Sequence, residues 1–254
     1  NVYEALFDDK ASSLIYRYLS EDGKTITSFL ATLGATKGEF LPQNITDVSL
    51  SPDRTKFFYI TKTFSGSVGT IRSFKDTKKI QVFSSSLSEW LSQWVSDQKI
   101  YLTTKAASSV PGNLFSLNTT SGVLTKILGN IQGLTTLANK DGSIILYSFS
   151  TPSGPQLQLF DVKNHTTNDL GIYGLPEKCV WNNTIIYCVV ANTITGNQYP
   201  DSWYQGITSF DDRFVKIDTT TNQVYALTSG TPETPIDGIH LFMNKTGDTL
   251  FFIN

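Results

Sequence analysis

Five carboxylates stand near the start of recurring apolar segments: Glu4, Asp47, Glu89, Glu177 and Asp237. Two acids held roughly 5 to 9.5 Å apart across a sugar can act as the acid and the base or nucleophile of a glycosidase. Several acids around one mouth repel one another, raise one another's pKa and attract a cation. The offsets of these five from the segments that follow are unequal, which favours solvated rim charges over a single ring. A Ser-His-Asp system needs a histidine, and the chain has only His165, in a polar stretch between strands, and His240, at the head of an inner strand. Neither has another His or Cys at ligand spacing, so no metal site is expected. No Gly-x-Ser-x-Gly elbow occurs. Gly66-Ser67-Val68-Gly69 lacks the Lys and helix of a phosphate loop and reads as a flexible connection between strands, and no cofactor is expected.

Recognition chemistry is concentrated elsewhere. The stretch 191–206 carries Tyr199, Trp203 and Tyr204, rigid amphipathic rings that can stack on a sugar or anchor a partner. Asp201 and Gln205 are available there for hydrogen bonds. The alternative is that the same rings fold back over the edge of the structure beneath them or plug a central channel. Cys179 and Cys188 flank a turn near Asn182 and Asn183. A four-residue loop, 182–185, would set the two sulfurs opposite each other, whereas a two-residue loop would set Cys179 opposite Ile186. Two buried free thiols is the reading favoured from sequence.

Positioning such groups requires a scaffold, and the composition points to strands. In 254 residues, 39% are hydrophobic and only 17% charged, against roughly a quarter charged in soluble domains. Eleven Tyr and 16 Phe against a single Met, with abundant Ser, Thr, Asn and Gly, favour short strands joined by polar turns. The formal charge is −2, and no basic cluster exceeds the segment Lys75-Asp76-Thr77-Lys78-Lys79, so nucleic acid is not an expected partner. No apolar run reaches the roughly 18 residues needed to span a bilayer, so this segment is not expected to insert into a membrane. The chain starts at Asn1 and not Met, which is compatible with a leader, anchor or domain ahead of it. Sequons at Asn44, Asn118, Asn164, Asn182 and Asn244 fall in expected loops and are read as turn residues.

A motif of two apolar residues and an aromatic recurs as Leu14-Ile15-Tyr16, Phe57-Phe58-Tyr59, Ile145-Leu146-Tyr147, Ile185-Ile186-Tyr187 and Leu250-Phe251-Phe252, with Lys99-Ile100-Tyr101 as a degenerate copy. Its aromatic positions are 43, 42, 46, 40 and 65 residues apart. Before each copy stands an apolar stretch and a turn rich in Asp, Asn, Gly or Ser, so each marks a hairpin. Further alternating segments follow, such as Gln156-Leu157-Gln158-Leu159-Phe160 and Val224-Tyr225-Ala226-Leu227, giving four strands per unit. A repeat of about 43 residues cannot bury both faces of so small a sheet alone, and copies stacked around an axis make a β-propeller. The expected fold is therefore all-β, about six four-stranded blades at 1–44, 45–88, 89–133, 134–178, 179–233 and a partial or shared sixth at 234–254. A repetitive β-sandwich is the alternative, against which the aligned hairpins argue.

The Leu50-Ser51-Pro52-Asp53 turn leading into Phe57-Phe58-Tyr59, with the turns at Asp161-Val162-Lys163 and Asp218-Thr219-Thr220, resembles the WD40-like repeats of the TolB-type β-propellers. The Gly-His and Trp-Asp pairs of eukaryotic WD40 repeats are absent. That resemblance implies strands running outward from an axis, with the loops between second and third strands on the face that usually binds. The 65-residue interval places the 191–206 insertion in such a loop. The expected function is a non-catalytic binding or scaffolding propeller, outside the cytoplasm, that engages a protein or glycan through the face carrying the 191–210 loop. Its rival is a carbohydrate-active enzyme, a glycosidase or lyase, using the channel-mouth carboxylates.

Overall fold

The computed structural model of the chain describes residues 2–36, 38–194, 196, 198–228 and 235–254. Five antiparallel sheets of four strands follow one another along the sequence, then a two-stranded sheet. The first holds β1 (Val2–Phe7), β2 (Ser13–Leu19), β3 (Ile26–Thr32) and β4 (Glu39–Phe40). The second holds β5 (Ile45–Leu50), β6 (Lys56–Thr63), β7 (Gly66–Ser73) and β8 (Lys79–Ser85). In the third are β9 (Trp90–Ser96), β10 (Lys99–Thr104), β11 (Pro111–Asn118) and β12 (Leu124–Gln132), and in the fourth β13 (Thr135–Ala138), β14 (Ile144–Thr151), β15 (Gly154–Asp161) and β16 (Thr166–Tyr173). The fifth holds β17 (Cys179–Asn182), β18 (Ile185–Thr193), β19 (Asp211–Asp218) and β20 (Gln223–Ala226), and the last β21 (Ile239–Met243) and β22 (Leu250–Ile253). Every sheet is a meander, each strand bonded to its sequence neighbour. Among the described residues no helix is long and apolar enough to cross a membrane.

The chain divides into two compact units, residues 1–102 with 115–125, and residues 103–114 with 126–254. In the first unit β6 shows why small sheets stack. Successive side chains of a strand point to opposite faces, so Phe57 and Tyr59 enter a core with Ile15, Leu30, Leu41 and Val48. Phe58 and Ile60 enter another with Phe83, Trp90, Trp94, Ile100 and Leu102. All four are buried, because β6 has a sheet on each side. The Ser-Pro-Asp turn before it closes on itself: Asp53 Oδ1 accepts from the Ser51 hydroxyl (2.6 Å) and the Thr55 N–H (3.0 Å), and Arg54 takes φ +54°. Asn118 and Asn244, two of the sequon residues, cap their turns similarly, Asn118 Oδ1 taking Thr120 and Ser121 N–H at 3.0 and 2.9 Å.

Gly66-Ser67-Val68-Gly69 is not a flexible connection. The turn lies at 64–65, and all four residues belong to β7. Gly66 has φ +143°, and a Cβ there would meet the Ser85 carbonyl oxygen at 2.0 Å. At Gly69 a Cβ would meet the Phe58 ring at 2.4 Å. These glycines permit close approach, which is a packing role.

In the second unit the fourth and fifth sheets share a core of Leu146, Leu157, Leu159, Ile172, Ile186, Val190, Val215 and Ile217. Cys179 and Cys188 lie within it and are joined, with S–S 2.11 Å and Cα–Cα 4.1 Å. This corrects the expectation of free thiols. The β17–β18 turn is Asn183-Thr184, with Asn183 at φ +56° and Asn182 paired with Ile185, a register that sets Cys179 opposite Cys188. A two-residue turn centred one residue earlier would move every pairing by two positions and set Cys179 opposite Ile186.

Candidate functional site

The insertion between β18 and β19 is a docked structure. It contains one helical turn, α1 (Asp201–Tyr204), and folds inward at its start, where Tyr199 is 1% exposed and stacks on Phe210 with ring centroids 5.2 Å apart. Leu175 and Ala191 complete this small core, with Trp203 and Ile194 packed against it. The Ser150 hydroxyl donates to the Tyr199 carbonyl, and the Ser108 N–H donates to Asp201 Oδ2 at 2.5 Å. Tyr199 thus serves packing and is not an outward surface. Tyr204, Gln205, Gly206 and Ile207 face outward, with Ile207 74% exposed.

Beneath the loop lies a charged cluster. A 3-10 turn, Pro176–Lys178, precedes β17 and presents Glu177 and Lys178. Lys178 and Asp212 are fully buried, and the Asp237 side chain is 25% exposed. Lys178 Nζ donates to Asp212 Oδ2 at 2.6 Å and to Asp237 Oδ1. Its ammonium lies 4.7 Å from the Phe210 ring centroid and 5.5 Å from that of Trp203, where ring quadrupoles favour a cation. The Trp203 indole N–H donates to both Asp237 oxygens, at 3.3 and 3.2 Å. The Gly238 N–H donates to Asp212 Oδ2 at 3.0 Å, whereas Asp212 Oδ1 is buried without a hydrogen-bond partner among the described residues. Burial pushes the Asp212 carboxyl up to about 6, against the pull of the Lys178 charge.

Tyr204 donates its hydroxyl to Glu177 Oε1. Burial raises the Glu177 carboxyl above its ordinary range, with the Tyr204 hydrogen bond opposing it. Desolvation and then the Glu177 charge push the Tyr204 phenol upward from its ordinary value. Glu177 and Asp237 are therefore brought together with Trp203 and Tyr204, tying the loop to the fold. The Gln205 N–H donates to the Asp201 carbonyl at 3.0 Å.

The three remaining acids belong to the first unit. Glu4 pairs with Arg17 at 2.9 Å, and Arg17 also donates to the carbonyls of Ile45 and Thr46 at 3.3 Å. Asp47 accepts from Ser92, and burial raises its carboxyl to about 6 in spite of that bond and of the Arg17 charge. Glu89 reaches Lys62 at 3.6 Å on an exposed surface. Among the described residues no three His, Cys, Asp or Glu side chains are grouped to hold a metal ion.

Lys178 and Asp212 escaped the sequence reading. Their partners are 34 and 59 residues from Lys178, and no local spacing connects them. The one available signal was the charged pair Asp211-Asp212 heading a strand whose next inward residues are apolar.

No protein-family model matches the chain, and no curated protein matches its sequence. Solved structures do. TolB from Acinetobacter baumannii aligns at TM-score 0.60 and 14% identity over 92% of this chain and 55% of its own. A prolyl endopeptidase aligns at 0.63 and 12%, over 97% and 38%, and an oligogalacturonate lyase in complex with manganese at 0.66 and 15%, over 98% and 69%. The chain thus spans about half the length of that TolB and less of the endopeptidase. These likenesses show the fold, a TolB-like β-propeller whose four-stranded antiparallel sheets are its blades.

Proposed function

We propose that this TolB-like propeller chain is a non-catalytic binding module that engages a protein or glycan through the 191–210 loop, outside the cytoplasm. The observation that carries the reading is a loop held from below and open above. Asp201, Trp203 and Tyr204 are each hydrogen-bonded to the body of the second unit, while Tyr204, Gln205 and Ile207 stand exposed. A surface ordered before contact loses little conformational freedom on binding, and an aromatic beside an aliphatic and an amide suits a compact anchor. The Cys179–Cys188 bridge supports an oxidising compartment, where such bonds persist.

The likeness to an oligogalacturonate lyase favours a second reading as a carbohydrate-active enzyme. Fold does not confer function by itself. Asp237 and Asp47 each accept from dedicated donors within the protein, and Glu177 does so through Oε1 while its Oε2 is buried without a hydrogen-bond partner among the described residues.

The test compares wild type with a Tyr204→Ala, Ile207→Ala double variant on a glycan array and on immobilised cell-surface protein, with circular dichroism as the folding control. Loss of wild-type binding in the folded variant supports the reading, and equal binding discards this face. Unsaturated products released from oligogalacturonate by wild type would favour the lyase.

A further inference from the structure

We propose that Lys178 and Asp237 become joined by a self-catalysed isopeptide bond, with Asp212 as the residue that carries the proton. The geometry is that of a nucleophile, an electrophile and a proton carrier in contact, the nucleophile and the proton carrier fully buried and the electrophile at the edge of the site. Lys178 Nζ is in hydrogen-bond contact with both carboxylates, and Lys178 and Asp212 are fully buried. Phe210 and Trp203 wall the ammonium on two sides. Asp212 keeps one buried oxygen, Oδ1, without a partner among the described residues, so it has capacity to take a proton.

An ammonium cannot attack and a carboxylate resists attack, so in water the ion pair is inert. Moving one proton from Nζ to Asp237 converts the ion pair into a neutral amine and a neutral acid in direct contact. The neutral amine then attacks Cγ of the protonated Asp237, forming the C–N bond. Its surplus proton passes to the Asp212 carboxylate, and the Trp203 N–H, already on both Asp237 oxygens, stabilises the oxygen that gains charge. Asp212 returns the proton to the departing hydroxyl as the C–O bond breaks. One ammonium and one carboxylate become one amide and one water, Asp212 ends as it began, and no oxidant or cofactor enters. The raised carboxyl of Asp212, at about 6, suits a group that accepts and returns a proton near neutrality. The bond would tie the turn ahead of the fifth sheet to the segment leading into β21.

Intact mass of the denatured, disulfide-reduced full chain tests this directly, with a tryptic map beside it. The expected mass is lower than that of the sequence by one water, with Lys178 resistant to trypsin and its peptide branched onto the peptide carrying Asp237. Asp237→Asn should yield the same final mass by losing ammonia, whereas Asp212→Asn and Lys178→Arg should keep their full mass. Full mass in wild type overturns the proposal whether or not any variant folds. Loss of water with Lys178 still cleaved also overturns it, since Asp237 precedes Gly238 and can cyclise onto that main-chain nitrogen. Water loss retained in Asp212→Asn removes Asp212 from the reaction.

Discussion

Asp47 on β5 accepts both the main-chain N–H of Ser92 on β9, at 2.7 Å, and its hydroxyl, at 2.5 Å. The Ser92 hydroxyl also contacts that of Ser49 at 2.8 Å, so one side chain from the third sheet ties down two from the second. Ser92→Ala leaves a desolvated carboxylate short of a donor. The expected cost is about 1 to 2 kcal/mol, read as a lower urea midpoint at unchanged slope.

The same carboxylate has a pH signature. Its folded pKa, about 6, lies above the ordinary 3.8, so the folded state holds the proton more tightly. Its contribution to stability is full below about pH 4 and is lost as pH rises through about 6. Asp47→Asn removes that dependence. The variant should therefore gain on wild type by on the order of 1 kcal/mol between pH 4.5 and 7.5, measured by denaturation at both values.

Removing the bridge frees the unfolded chain around a short loop. The Cys179→Ser, Cys188→Ser double variant should unfold about 2 to 3 kcal/mol more easily, and wild type in reductant should approach it. Equal midpoints would show that the bond does not form.

Burial decides the effect of replacing residues of this loop. Tyr199→Ala opens a cavity beside Phe210 and Leu175 and should cost about 3 to 5 kcal/mol. Gln205→Ala, outward, should stay within about 0.5 kcal/mol. Thermal melts of the two variants check the contrast.

At Gly69 there is no room for a methyl group between the Phe58 ring and Phe83 Cβ. Gly69→Ala is expected to cost about 1 to 3 kcal/mol through overpacking. An unchanged melt would show that the second sheet can shift to admit it.

What could be read in advance was whatever lies close along the chain. Phe57-Phe58-Tyr59 announced a strand buried on both faces, because the alternation of inward and outward polarity is missing there while the turn residues before it are explicit. The 191–206 insertion was visible as an interval too long for its repeat. Its inward turn at Tyr199 was not, because the ring that receives it, Phe210, and the Leu175 beneath it carry no mark distinguishing them from other core residues. Lys178 illustrates the same limit: a lysine beside Cys179 reads as solvated until Asp212 on β19 and Asp237 ahead of β21 converge on it. The disulfide turned on a single choice of turn centre, Asn183-Thr184, which propensity alone does not fix among neighbouring Asn and Thr.

Several hairpin tips in this protein carry their own latch. Asp22, Asp161 and Asp218 each take hydrogen bonds from residues two or three positions on, Asp53 from Ser51 and then Thr55, and Asp248 from Asn244 and then Thr249, and these bonds hold each carboxyl below its ordinary pKa. Depressed carboxyls stabilise above their ordinary pKa and lose that stabilisation as pH falls through the folded value. Strong acid would release these latches independently and by small steps, fraying the rims of the sheets while the aromatic interiors stay shut.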